Sequence, residues 1–143
     1  YNLGTMYENG KGVRKDDREA VRWYRLAAEQ GMARAQFNLG VLYRPGAGVP
    51  EDDREAVKWF RLAAEQGHAE AQFSLGMAYA NGNGVRGDDV YAYAWFNILA
   101  SSGDSNAAEP RKFLEKRMAR EQITQAQKLS QELQIKIDAN TSK

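Results

Sequence analysis

Cysteine is absent from the 143-residue chain, which excludes disulfide bracing, thiol catalysis and cysteine-ligated zinc and fits any redox compartment. No unbroken run of even twelve apolar residues occurs, so no segment can cross a membrane as a helix. Neither charge sign dominates. Twenty Lys and Arg stand against nineteen Asp and Glu, a formal net charge of +1, and the chain has no bulk electrostatic reason to seek nucleic acid or acidic lipid. What is present is one domain's worth of sequence: 43% apolar residues are enough to fill a core, and balanced charge argues against disorder.

The chain repeats itself with a step of 36 residues. Leu3-Gly4, Leu39-Gly40 and Leu75-Gly76 are in phase, as are Tyr7, Tyr43 and Tyr79, and Trp23, Trp59 and Trp95. The glycines follow: Gly10, Gly46 and Gly82; Gly12, Gly48 and Gly84; Gly31, Gly67 and Gly103. Asp17, Asp53 and Asp89, then Ala20, Ala56 and Ala92, keep the register without an insertion.

Each unit reads as two helices. In the second copy Ala35, Leu39, Leu42 and Tyr43 form one apolar stripe, which predicts a helix A over about 33–44. Pro45-Gly46-Ala47-Gly48 breaks the chain, and helix B opens at Asp52 or Asp53. Asp52 with Glu55, and Asp16 with Glu19, have the spacing of a reciprocal capping box. Ala56, Trp59, Phe60, Ala63 and Ala64 form the apolar side of helix B, and Gly67 closes it. Two such helices cannot bury their stripes alone; stacking of repeats, with the Trp column between units, predicts an α-solenoid.

Leu39-Gly40, Tyr43, Ala56 and Phe60 carry the L-G-x-x-Y and A-x-x-x-F pattern of tetratricopeptide repeats. A period of 36, a G-x-G-V connection before an Asp, and a Trp ahead of the helix-B aromatic resemble the Sel-one-like repeat (SLR) family, a branch of the tetratricopeptide-like solenoids. The resemblance covers residues 1–103, and the ending from Tyr91-Ala92-Tyr93-Ala94-Trp95-Phe96 into a charged two-helix segment is similar to that of bacterial members. It implies a right-handed, all-α solenoid that works as an adaptor or scaffold for other proteins, in signalling, secretion, envelope or quality-control assemblies. A cysteine-rich branch of the family is associated with β-lactam binding, and its disulfide pairs are absent here.

The ends depart from the pattern. In the third copy Val90, Tyr91, Ala94, Asn97 and Ser101 replace Arg54, Glu55, Lys58, Arg61 and Glu65, so the outer face of helix B loses its charge. The expected organisation is three repeats in 1–103, the first truncated, followed in 104–143 by capping helices that fold back over this face and a frayed tail from Ala139. Pro110 predicts a late start or kink, and Ile123, Ala126, Leu129, Leu133 and Ile137 predict a last amphipathic helix over about 120–137. Tyr1 falls in the column of Phe37 and Phe73, so the chain is expected to be a fragment. Its uncovered first helix predicts head-to-tail self-association or a preceding repeat.

Catalytic chemistry finds little support. His68 is the only histidine and sits in a turn without ligand or acid–base partners at helical spacing. The pairs Asp16-Asp17, Asp52-Asp53 and Asp88-Asp89 recur in every copy, as helix caps would and a catalytic pair would not. Gly10-Lys11-Gly12 and Gly82-Asn83-Gly84 lack the G-K-[ST] continuation and the strand that a phosphate loop requires.

By analogy with the resemblance, the concave surface is lined by helix A. The candidate partner-binding residues are therefore Arg34, Phe37, Asn38, Val41, Arg44, Glu70, Phe73 and Met77, with Phe37 and Phe73 open to reading as groove or as packing between repeats. The expected function is a non-enzymatic interaction scaffold for a protein or peptide, with no cofactor and no metal. The alternatives are an envelope-associated small-molecule or glycan binder or hydrolase, and a self-assembling repeat module. Bacterial cytoplasm and periplasm are both compatible.

Overall fold

Aspartate starts every B helix, and the chain direction follows from that. In the computed structural model, which describes residues 2–9, 16–44 and 50–142, Asp16, Asp52 and Asp88 are extended N-cap residues whose carboxylates accept first-turn N–H groups. Such caps contribute about 1 kcal/mol each. The elements are α1 (Asn2–Asn9), α2 (Asp17–Glu29), α3 (Ala33–Leu42), α4 (Asp53–Ala64), α5 (Ala69–Asn81), α6 (Asp89–Ser101), a 3-10 turn (Ser105–Ala107), α7 (Ala108–Arg117) and α8 (Arg120–Thr141). Among the described residues there is no strand, and the order A, B, A, B holds from α1 to α6. The expectations placed on Tyr1, on Gly10 to Val13 and on Pro45 to Val49 lie outside these residues.

The reciprocal capping box does not form. Asp52 Oδ1 accepts the Glu55 N–H at 3.1 Å, but the Glu55 carboxylate turns forward and accepts the Trp59 indole N–H at 3.2 Å. The Asp52 N–H instead donates to the Tyr43 carbonyl at 2.8 Å. Helix A is also shorter than expected in this copy: Tyr43 and Arg44 close i to i−3 bonds, so α3 ends at Leu42 rather than near residue 44. At the other end of each B helix, Gly31, Gly67 and Gly103 have φ of 91°, 87° and 89°. In the second repeat the Gly67 N–H donates to Ala64 O and the His68 N–H to Ala63 O, a left-handed closure that the other two copies repeat.

Helices A and B of a repeat meet at a glycine. A Cβ on Gly4 would stand 2.8 Å from the Tyr24 ring, one on Gly40 2.7 Å from Phe60, and one on Gly76 2.9 Å from Phe96. Successive repeats are then joined by buried amides. The Gln36 side chain donates to Ala28 O at 3.2 Å and Gln72 to Ala64 O at 3.1 Å, each reaching from an A helix to the end of the preceding B helix. Arg61 donates to the Tyr79 hydroxyl at 2.8 Å, and Arg25 bonds Tyr43 in the same way one repeat earlier. Trp59 packs with Ala20, Tyr24 and Ala28 of the first repeat, as expected of a residue between units.

The G-x-G turn has a physical reason in the third copy. Gly82 is a left-handed C-cap with φ 70°, and Gly84, at φ 73°, lies so close to α4 that a Cβ would overlap the Asp53 carbonyl.

Beyond the third repeat, α7 starts late. By the period its first turn belongs at Ser105, but residues 105–107 are 3-10 and the α-helix begins at Ala108, with Pro110 in the first turn where no intrahelical N–H is needed. Arg117 pairs with Asp89 through two bonds, at 2.9 and 2.6 Å, and donates to Ala80 O. α8 lies against α6: the Asn97 amide donates to Ser130, and Ala94 and Ala126 are fully buried. The tail is longer and better tied than expected, because Asn140 donates to Glu65 O at 3.0 Å and Lys136 pairs with Glu65 at 2.6 Å.

Gly40→Ala tests the glycine contact. The helix gains about 1 kcal/mol of propensity, but the added methyl must displace the buried Phe60 ring or the Ala56 carbonyl, at a cost of roughly 1 to 3 kcal/mol. Urea unfolding is expected to show net destabilisation, relieved in Gly40→Ala/Phe60→Leu; a rise in the midpoint for the single variant contradicts the account.

Candidate functional site

The A helices place side chains of different kinds at fixed intervals, and α5 borders hollows in the surface. Two hollows lie along it. The first, about 430 Å³, is framed by Arg44 past the end of α3, Glu51 and Asp53 at the start of α4, Phe60, and Phe73 and Met77 of α5. The second, about 520 Å³, is framed by Phe37 of α3, Glu70, Phe73 and Ser74 of α5, and Asp104 and Pro110 after α6. Phe73 and Ser74 border both, so the hollows form one track along α5.

Five of the eight candidate residues therefore come together: Phe37, Arg44, Glu70, Phe73 and Met77. Arg34, Asn38 and Val41 border neither hollow; Arg34 is exposed, and Val41 is half-buried against the core. Phe37 and Phe73 pack against the aromatic of helix B in their own repeat and also border the hollows. Phe37 tilts against Phe60 at 5.7 Å between ring centroids and stacks on His68 at 4.9 Å, while Phe73 meets Phe96 edge-on at 5.6 Å. Their remaining surface faces the hollows. In the first copy the Thr5 and Glu8 columns are engaged by Tyr24, whose hydroxyl donates to Glu8 at 2.6 Å and lies 3.2 Å from Thr5 Oγ1.

His68 is the N-cap of α5: its Nδ1 accepts the Ala71 N–H at 3.2 Å. Burial lowers its pKa below the usual 6.5, Glu70 opposes that shift and Arg34 adds to it. Sequence reasoning placed His68 in a turn but missed the cap; the signal is its column, where Asp104 accepts the Asn106 N–H at 2.9 Å. Gln36 and Gln72 were missed as well, although they stand one period apart and that recurrence was the available signal.

A third hollow, about 610 Å³, opens between Tyr79, Tyr91 and Gln122. Its two acids are already committed, Asp88 to the α6 cap and Asp89 to Arg117. Among the described residues no cluster of His, Asp or Glu could hold a metal ion, and no helix is long and apolar enough to cross a membrane.

The repeat boundaries seen in these contacts coincide with a family model for the Sel1 repeat, which matches residues 1–32, 33–68 and 69–104. The chain belongs to the Sel1 repeat family. It is similar to a Sel1 repeat protein from Oxalobacter formigenes, with 42% identity and a TM-score of 0.73; the match covers 77% of this chain and 45% of that one. It is also similar to a protective antigen present in uropathogenic Escherichia coli strains that displays an SLR fold, with 32% identity and a TM-score of 0.70, over 99% of this chain and 38% of that one. The chain thus spans less than half the length of either structure, and a bacterial origin fits both sources. No curated protein matches it. Sel1 repeat proteins are in general protein-interaction modules and typically non-catalytic.

The cap is expected to make this Sel1 chain acid-sensitive at His68. A protonated imidazole has no acceptor for the Ala71 N–H. Because the folded pKa lies below the unfolded value, the stabilisation is complete above about pH 6.5 and is lost as pH falls through the lowered folded pKa. His68→Asn keeps an acceptor that does not titrate. Melting curves from about pH 7 down to about pH 5 are expected to show wild type losing more stability than the variant; parallel losses rule the cap out as the cause.

Proposed function

We propose that this Sel1 repeat chain is a non-enzymatic scaffold that holds a protein or peptide segment along the A-helix surface, centred on α5, with α7 and α8 closing a right-handed stack as its cap. The observation that carries this reading is the pair of adjoining hollows along α5, with Phe73 and Ser74 bordering both. It combines an apolar floor with a charged rim drawn from α5 and from the turns and helix starts beside it. Presenting these groups on packed elements reduces the ordering cost of association. The proposed contact residues are Phe37, Arg44, Glu70, Phe73 and Met77, with Ser74 added; Arg34, Asn38 and Val41 are placed at the margin.

Ser74 is half-buried and shared by both hollows, so Ser74→Arg fills the track from its centre. Arg54→Glu changes an exposed residue on the opposite helix of the neighbouring repeat and serves as the control. With melting unchanged, affinity capture from the source lysate is expected to retain one discrete partner on wild type and on Arg54→Glu and to lose it on Ser74→Arg. Equal retention by all three chains places binding on another surface.

A further inference from the structure

The track's rim carries mostly one sign of charge. Glu51, Asp53, Glu70 and Asp104 border the two hollows against a single cation, Arg44, in a chain whose overall charge is +1. Among the described residues Glu51, Asp53 and Glu70 enter no ion pair. The second hollow is the more one-sided. Its floor is Phe37, Phe73 and Pro110, its rim acids are Glu70 and Asp104, and no Lys or Arg borders it. Asp104 is held there by its own cap bond, Oδ1 accepting the Asn106 N–H at 2.9 Å.

Resting on the reading of α5 as the binding surface, we propose that the occupant is an extended peptide segment in which a bulky apolar side chain is flanked by Lys or Arg. The apolar side chain enters between Phe37, Phe73 and Pro110, and the flanking cation faces Glu70 and Asp104. A hollow of this size lies within the roughly 300 to 1,000 Å³ of ordinary ligand sites and accommodates one large side chain with adjoining backbone. Complementary potential both speeds encounter and rejects the wrong partner, because an acidic segment would bring like charge to Glu70 and Asp104 in a hollow that no Lys or Arg borders.

The test pans a library of random octapeptides on the whole chain, on Glu70→Gln/Asp104→Asn and on Ser74→Arg. Asn at 104 keeps a cap acceptor, and if the double variant melts lower, Glu70→Gln alone replaces it. The expected result is that wild type selects Lys or Arg beside an aromatic or large aliphatic residue, and that a synthesised selected peptide binds the charge-removed variant about tenfold more weakly, with a flatter salt dependence. Peptides lost on Ser74→Arg but neutral or acidic overturn the charge inference and leave the α5 surface standing. Peptides that bind Ser74→Arg as well as wild type overturn both, and failure to enrich any peptide overturns the charge inference. A second copy as occupant is distinguished by a concentration-dependent mass that added peptide reduces, and it likewise overturns the inference.

Discussion

The contact between a helix-A glycine and a helix-B aromatic ring sets the separation of the two helices in every repeat. Gly4 faces Tyr24, Gly40 faces Phe60 and Gly76 faces Phe96, each with no room for a methyl group. Because the helices approach this closely, the small residues around the contact, Ala20, Ala56 and Ala92 on helix B and Ala35 and Ala71 on helix A, are buried completely or nearly so. The tight pair in turn sets where the next A helix can lie. From there Gln36 and Gln72 reach a carbonyl at the end of the preceding B helix, and the Arg–Tyr bonds span the same junction on the other side. The track on α5 inherits its geometry from this spacing, since its floor residues Phe60 and Phe73 belong to the interface that the glycine contacts define.

Much of this was legible because identical residues recur at a constant interval, and recurrence separates structural from accidental features. The aspartate caps, the closing glycines and the buried Trp59 and Trp95 all follow from their columns. Features that depend on where a side chain turns were not legible. Glu55 has the spacing of a capping box in sequence, yet the indole N–H of Trp59 one turn ahead would otherwise lack an acceptor, and the carboxylate goes there. Gln36 and Gln72 recur one period apart, but the role of an amide in an apolar stripe follows only when the carbonyl it meets is known.

The candidate site was read from the same columns, and the structure brings part of it together. Helical spacing places Glu70, Phe73 and Met77 on one side of α5, and the structure keeps them on the track. Arg34, Asn38 and Val41 occupy the corresponding side of α3 but fall outside it, and of the α3 candidates Phe37 alone borders a hollow. The acids that complete the rim, Glu51, Asp53 and Asp104, come from turns and helix starts outside the A-helix columns. No periodicity analysis assembles them, since they share neither an element nor a register.

The third copy shows how loss of charge redirects the chain. In the first two repeats the outer side of helix B carries Arg18, Arg22, Arg54 and Lys58, all exposed, and covering it would strip water from cations with no partner supplied. Leu26 and Leu62, in the same column, stay 49% and 39% exposed. At the third copy the column residue is Ile98, which is 5% exposed, and the neighbouring positions are Ala94 and Asn97, which α8 covers. The polar group left on that face is answered individually: the Asn97 amide donates to Ser130, and its carbonyl oxygen accepts from Arg111. Arg111 stands one period after Leu75, so the residue that removes the apolar pattern from α7 also satisfies the residue that replaces Arg61 on α6. Asn97 and Arg111 thus form a matched pair, and their joint change turns a repeat junction that could have continued into one whose outer face accepts α8.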